Sequence, residues 1–206
     1  METQLPISLF TLLTATLLLP SPATARQIPT NADTAFIHST CQKIQTYPDL
    51  CSHLLSRYAT QIHQDPSKLA TIAISLSLAT TETMANYVST IGNQADFGSD
   101  QRAAAAVQQC YSSFRDAMDS MHDSVALMRD LGSARSFESL RFKLSSVQTY
   151  MSSALTYEED CLDVFEDVMD GKIKRLVRDK TQKLERVTSV ALALVNSYVE
   201  KVTTTP

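Results

Sequence analysis

Four cysteines, Cys41, Cys51, Cys110 and Cys161, carry the clearest chemistry in the chain. Cys110 falls in the series Val107, Cys110, Phe114, Met118, Met121, Val125, Met128, and Cys161 in the series Val147, Met151, Ala154, Tyr157 (or Glu158), Cys161, Phe165. Apolar residues every three or four positions define one face of a helix, so both thiols are expected on buried faces where two helices meet. A bridge there would staple two helices through the core. Three pairings of four cysteines are possible. The short Cys41-to-Cys51 spacing, with Pro48 turning the chain between them, favours a local bridge and leaves Cys110 with Cys161. Loop closure assigns about 3 and about 4 kcal/mol to the two bridges. A zinc site is the rival use of these thiols, but no CxxC and no neighbouring histidine pair is present.

The redox compartment follows from the N-terminus. Residues 7–19 are mostly apolar and Ala23-Thr-Ala25 is a small-x-small cleavage signature, so residues 1–25 read as a signal peptide. The run is too short for an anchor, and Pro6, Pro20 and Pro22 bracket it. The n-region departs from the usual pattern in carrying Glu2 and no Lys or Arg. Removing residues 1–25 takes away that one acid and moves the net charge from −4 to −3. A mildly acidic chain without a basic tract is not expected to bind nucleic acid, and no membrane partner is expected.

Catalytic machinery is hard to find. His38, His53, His63 and His122 are scattered and read as surface or capping residues. Glu158-Glu159-Asp160 places three acids at consecutive positions, which do not face one another on a helix, and reads as a solvated edge. A phosphate loop, a GxSxG elbow and a Ser/His/Asp order are all missing. Neither an enzyme, nor a metal site, nor a cofactor is expected.

The elements that position these residues are helices. Four glycines and no tryptophan argue against a β-rich fold. Residues 26–35 read as a loose arm. Short helical pieces follow from Phe36 to about Tyr58, broken at Tyr47-Pro48, with Thr40 or Ser39 as a cap. Asp65-Pro66 starts the first long helix, with Leu69, Ile72, Leu76, Ala79 (and Thr80), Thr83, Tyr87 and Ile91 inward and a stop at Gly92-Asn93. The second runs from about Asp100 to Leu131. The third runs from Ser136 or Ser139 to Met169, with a kink expected near Ser145-Ser146. The fourth runs from about Lys172 to Lys201, with Ile173, Leu176, Leu184, Val187, Ala191, Leu194, Tyr198 and Val202 inward and a basic first half read as solvated. The expectation is all-α: an up-down-up-down four-helix bundle with an N-terminal helical hairpin, one domain over residues 26–206 with the bundle at about 33–200.

The cysteine framework and four stretches in order carry a resemblance. They are Cys-Gln-Lys-Ile-Gln-Thr-Tyr-Pro-Asp-Leu-Cys (41–51), Gln-Gln-Cys-Tyr-Ser-Ser-Phe-Arg-Asp-Ala-Met-Asp-Ser-Met (108–121), Val-Gln-Thr-Tyr-Met-Ser-Ser-Ala-Leu-Thr (147–156) with Cys161, and Ala-Leu-Ala-Leu-Val-Asn (191–196). The chain resembles the plant invertase and pectin methylesterase inhibitor family over about residues 33–200. That resemblance implies the same bundle, bridges Cys41–Cys51 and Cys110–Cys161, and inhibition of a cell-wall carbohydrate enzyme by about 1:1 binding in the apoplast. Residues 147–156 look like the SAALT-type segment of the methylesterase inhibitors, and the Pro-Lys-Phe stretch associated with invertase inhibitors is absent. Pectin methylesterase is therefore the expected partner, with invertase as the alternative. Ser153 replaces an Ala of the family pattern, and Val190 stands where an Asn is frequent. The family's acids at C-x5-D-x2-D fall on Asp116 and Asp119, the candidate target interface, with Ser112 where a further acid is often found. At i, i+3 the two aspartates share a side of the second long helix, away from its apolar stripe. A secreted small-ligand carrier is a less favoured reading, which a large apolar cavity would support. The chain is expected to be free-standing rather than the pro-region of a methylesterase.

Overall fold

The structure, a computed structural model, describes residues 29–95, 97 and 100–204; the expected signal peptide, residues 1–25, lies outside the described residues. The chain forms α1 (Asn31–Lys43), α2 (Pro48–Leu55), α3 (Ala59–Ile62), α4 (Pro66–Gln94), α5 (Gln101–Arg129), α6 (Phe137–Asp163) and α7 (Lys172–Thr204), and no strand occurs among the described residues. Helices α4 to α7 pack cyclically, each on its chain neighbours and α4 on α7, giving the up-down-up-down bundle. The hairpin α1–α2, closed by Cys41–Cys51 with the Cα atoms 5.6 Å apart, leans on α4 and α7 through α2 and α3. The Cys110–Cys161 bridge, with a Cα separation of 4.2 Å, joins α5 to α6, and all four sulfurs are fully buried.

Several expectations need correction. The arm at 26–35 is helical from Asn31, because Thr30 and Asp33 form a capping box: Thr30 Oγ1 accepts from Asp33 N at 3.2 Å, and Thr30 N donates to Asp33 Oδ2 at 3.1 Å. Asp33 also accepts from Gln64 Nε2 at 3.2 Å, which ties α1 to the turn before α4. Those bonds hold the Asp33 carboxyl below its ordinary pKa. Ser39 and Thr40 are no caps; both lie within α1 and donate to Phe36 O at 3.0 and 2.9 Å. Helix α6 stops at Asp163 instead of Met169, because Phe165 and Val168 turn inward to close the core around the bridge. Lys174 Nζ satisfies the freed carbonyls of Glu166 and Val168 at 2.9 and 2.8 Å. No break interrupts α6 at Ser145-Ser146. Gly92 lies inside the last turn of α4, where a Cβ would meet Val107 Cγ1 at 3.3 Å, so it serves the close approach of α4 and α5.

The largest correction concerns which faces point inward. On α4 the buried stripe is Leu69, Ala70, Ala73, Ile74, Ser77, Thr81, Met84, Ala85 and Val88; Ala79 and Thr83 are exposed. On α7 it is Val177, Thr181, Leu184, Thr188, Val190, Ala191, Leu194 and Val195, while Leu176 is exposed. Both stripes contain hydroxyls at their centre because those hydroxyls serve a buried carboxyl. Glu158, read from sequence as part of a solvated edge, has no exposed surface. Its Oε1 accepts from Thr188 Oγ1 at 2.8 Å and from Thr81 Oγ1 at 3.2 Å, and Ser77 Oγ lies 2.6 Å from Thr188 Oγ1. Met121 Sδ of α5 approaches Thr81 Oγ1 at 3.6 Å, so all four bundle helices meet at this junction. Glu158 Oε2 has no partner. The junction separates two apolar clusters, one around the Cys110–Cys161 bridge and Phe114, the other around Met121, Met151 and the hairpin.

Burial pushes the Glu158 carboxyl up to about 8, against the lowering effect of the Thr188 and Thr81 hydroxyls; Glu185 and Glu159 nearby add to the rise. The native state therefore holds a proton that the unfolded chain releases near its ordinary value of 4.5. The contribution to stability is fully present below that value and is lost as pH rises towards about 8, by up to about 1.4 kcal/mol per pH unit. Urea unfolding between those limits should show the decline, and Glu158→Gln should flatten most of it; equal slopes in both proteins would refute the assignment. A Cys110→Ser/Cys161→Ser variant should lose about 4 kcal/mol by the same unfolding assay. Non-reducing peptide mapping of the native protein should recover only 41–51 and 110–161 linked peptides.

Candidate target interface

Helix α5 begins at Asp100, whose Oδ1 accepts from Ala103 N at 3.0 Å, and buries a dense apolar and small-residue stripe through Met128. Its outer side carries Ser112, Asp116 and Asp119, all exposed. Among the described residues neither aspartate side chain takes part in an ion pair or hydrogen bond; Ser120 Oγ donates to the backbone carbonyl of Asp116 at 3.1 Å. Two free carboxylates on a rigid helix, at a spacing of three residues, present negative charge to a partner without an internal bond to break first.

The bridge sets what stands beside them. Because α5 and α6 run antiparallel from Cys110–Cys161, Asp116 is level with about Leu155 and Asp119 with about Ser152, some 9 and 13 Å from the bridge. The outer face of α6 at that height is uncharged and rich in hydroxyls. Ser145, Gln148, Thr149, Ser152, Ser153 and Thr156, with Asn196 of α7, line a shallow concavity. Gln148 Nε2 donates to Asn196 Oδ1 at 2.8 Å, which fixes both amides and ties α6 to α7. Apart from Ser145, this polar strip falls within two stretches that carried the resemblance, 147–156 and 191–196, yet the sequence reading gave its side chains no role. The signal that marks it is the run of Ser, Thr, Gln and Asn on the solvent side of a helix whose other side is Leu144, Val147, Met151 and Ala154.

The two departures from the family pattern differ in consequence. Ser153 is half-buried and contributes to the concavity, whereas Val190 is in the core. The four histidines are all exposed. Among the described residues no group of three or more His, Cys, Asp or Glu could hold a metal ion, and no helix is long and apolar enough to cross a membrane. The arrangement offers binding by charge, hydroxyl and amide groups on a surface stiffened by a disulfide.

Comparison with known proteins agrees with this geometry along nearly the whole chain. Pectinesterase inhibitor 9 from Arabidopsis thaliana is 39% identical over 203 residues, 98% of this chain and 97% of that protein. The 21 kDa protein of Daucus carota is 35% identical over 180 residues, covering 87% and 90%. Among solved structures, a mutant form of a pectin methylesterase inhibitor from Arabidopsis superposes with a TM-score of 0.59 at 17% identity, over 77% of this chain and 95% of that one. The sequence profile described as plant invertase/pectin methylesterase inhibitor matches residues 35–194, the span that holds both disulfides, the buried junction and the α5–α6 face. With a bundle, a bridge pattern and a profile that coincide over that span, the chain belongs to the plant invertase/pectin methylesterase inhibitor family.

Proposed function

We propose that the protein is a secreted inhibitor of pectin methylesterase that forms a 1:1 complex with the enzyme in the cell wall and is not itself an enzyme. The end-to-end similarity to pectinesterase inhibitors carries the reading. In this account residues 1–25 are the leader and 26–206 the single inhibitory domain. Inhibition without chemistry means covering the target's cleft, and the face built by Asp116, Asp119 and the polar strip of α6 fits that task. It is rigid, it is exposed, and it places carboxylates beside hydroxyl and amide groups, as the polar parts of a protein interface are composed. Invertase is the alternative target that the family's name includes.

Titrating the folded protein against a plant pectin methylesterase, and separately against a cell-wall invertase, tests the reading. Methylesterase activity should vanish near one equivalent while invertase is untouched; the reverse pattern moves the function to invertase, and inhibition of neither removes it. Charges at a rim chiefly change association rate, whereas desolvated ones cost several kcal/mol on truncation. Asp116→Ala with Asp119→Ala should weaken methylesterase inhibition at least about tenfold, ~1.4 kcal/mol, with thermal stability unchanged. A folded double mutant that inhibits as well as the native protein takes these residues out of the interface.

A further inference from the structure

The first half of α7 concentrates positive charge in an acidic protein. Lys172, Lys174, Arg175, Arg178, Lys180, Lys183 and Arg186 fall within fifteen residues that contain only Asp179 and Glu185 as acids, in a chain of net charge −4. Helix stability does not account for them: the first turn of α7 has no acid, and cations there oppose the helix dipole. Lys174 is occupied by the α6–α7 connection, through two carbonyls and Asp170 at 3.5 Å. Lys172, Arg175 and Lys183 are exposed, and their side chains make no ion pair or hydrogen bond with the described residues. At about 100° per residue these three and Arg186 lie within an arc of about 80°, spread over about 21 Å of helix, with Asp179 the one acid among them.

Two tyrosines border this face. Lys180 Nζ stands 4.7 Å from the centroid of the Tyr87 ring on α4, and the Arg186 guanidinium 5.8 Å from that of Tyr47 on the hairpin. Tyr47 is 46% exposed and sits in the left-handed region at φ 46°, a conformation that a bulky residue before proline rarely adopts. An exposed ring held in a strained backbone beside a row of free cations is a combination that packing alone does not require. Cations spaced along a rod, flanked by ring faces, match a polymer that bears both anionic groups and the flat C–H faces of sugar rings.

We propose that this face of α7, with Tyr47 and Tyr87 at its border, binds a polyuronate: a sugar polymer with free carboxylates, as methyl-ester hydrolysis of pectin produces. The assignment of this polymer rests on the methylesterase reading. Binding would hold the inhibitor on the product-bearing stretches where its target has acted. Helices α5 and α7 are diagonal in the bundle, so the polymer face points away from Asp116 and Asp119 and leaves them open to the enzyme.

Equilibrium binding of the folded, disulfide-bonded protein to polygalacturonate at about 10 mM salt, where screening is weak, tests the proposal. The protein should bind polygalacturonate at least tenfold more tightly than fully methyl-esterified pectin or poly-L-glutamate. Arg175→Glu with Lys183→Glu should reduce that affinity at least tenfold. Arg175→Glu puts an acid where the helix dipole favours one, so the fold is retained. Tyr47→Asn, which tolerates the left-handed conformation and leaves the charge unchanged, should reduce it at least threefold. Equal binding to the esterified polymer or to poly-L-glutamate overturns the proposal, as does native-like affinity in either variant. Methylesterase inhibition measured in parallel separates the two ideas: the charge-reversed variant should inhibit as the native protein does. Failure of the native protein to bind polygalacturonate, with its inhibition intact, defeats only the proposal for α7, and absent inhibition by the native protein defeats the methylesterase reading itself.

Discussion

Glu158 has to be buried among four helices without becoming an isolated charge, and the interior of the bundle is arranged around that requirement. An ionised carboxylate in an apolar core is too expensive to leave unpaired. Here it is accommodated by neutrality, with its pKa raised to about 8, and by hydroxyls from two other helices. Ser77, Thr81 and Thr188 thus occupy positions that a purely apolar core would give to Leu or Val. A hydrogen-bonded junction of this kind is satisfied only when α4, α6 and α7 are in register, so it resists the sliding that smooth apolar stripes permit. The unpartnered Oε2 is the natural place for the carboxyl proton.

The Cys110–Cys161 bridge fixes the other half of the frame. It lies one turn from Glu158 along α6, and the apolar cluster around it draws in Phe165 and Val168 from the chain after that helix. Junction and bridge together fix the relative height and rotation of α5 and α6. The outer face that those helices share is then stiff, although nothing on that face stiffens itself. The face proposed to meet the enzyme benefits from this, because little ordering is left to be done on binding.

Charge is distributed by helix rather than evenly. Helix α5 carries exposed Asp116, Asp119 and Asp123 together with exposed Arg102, Arg115 and Arg129, the middle of α6 presents an uncharged hydroxyl and amide strip, and the first half of α7 is basic. In a four-helix bundle each helix owns one outward face, so a helix-by-helix division of charge gives separate surfaces without extra domains.

Composition and periodicity were enough for the all-α class, the four long helices, the N-terminal hairpin and the apolar placement of Cys110 and Cys161, because these follow from local spacing and from caps such as Asp65-Pro66. The aspartates at 116 and 119 were legible for the same reason: their place relative to Cys110 is fixed within one helix. What the sequence misplaced were the inward faces of α4 and α7 and the burial of Glu158. Pattern reading sends carboxyls to solvent, and it has no means of seeing that Ser77 and Thr81 of α4 and Thr188 of α7 gather around one carboxyl of α6. The end of α6 and the concavity shared by Gln148 and Asn196 belong to the same class. Each depends on groups far apart in the chain meeting in space, and only the packing of the bundle brings them together.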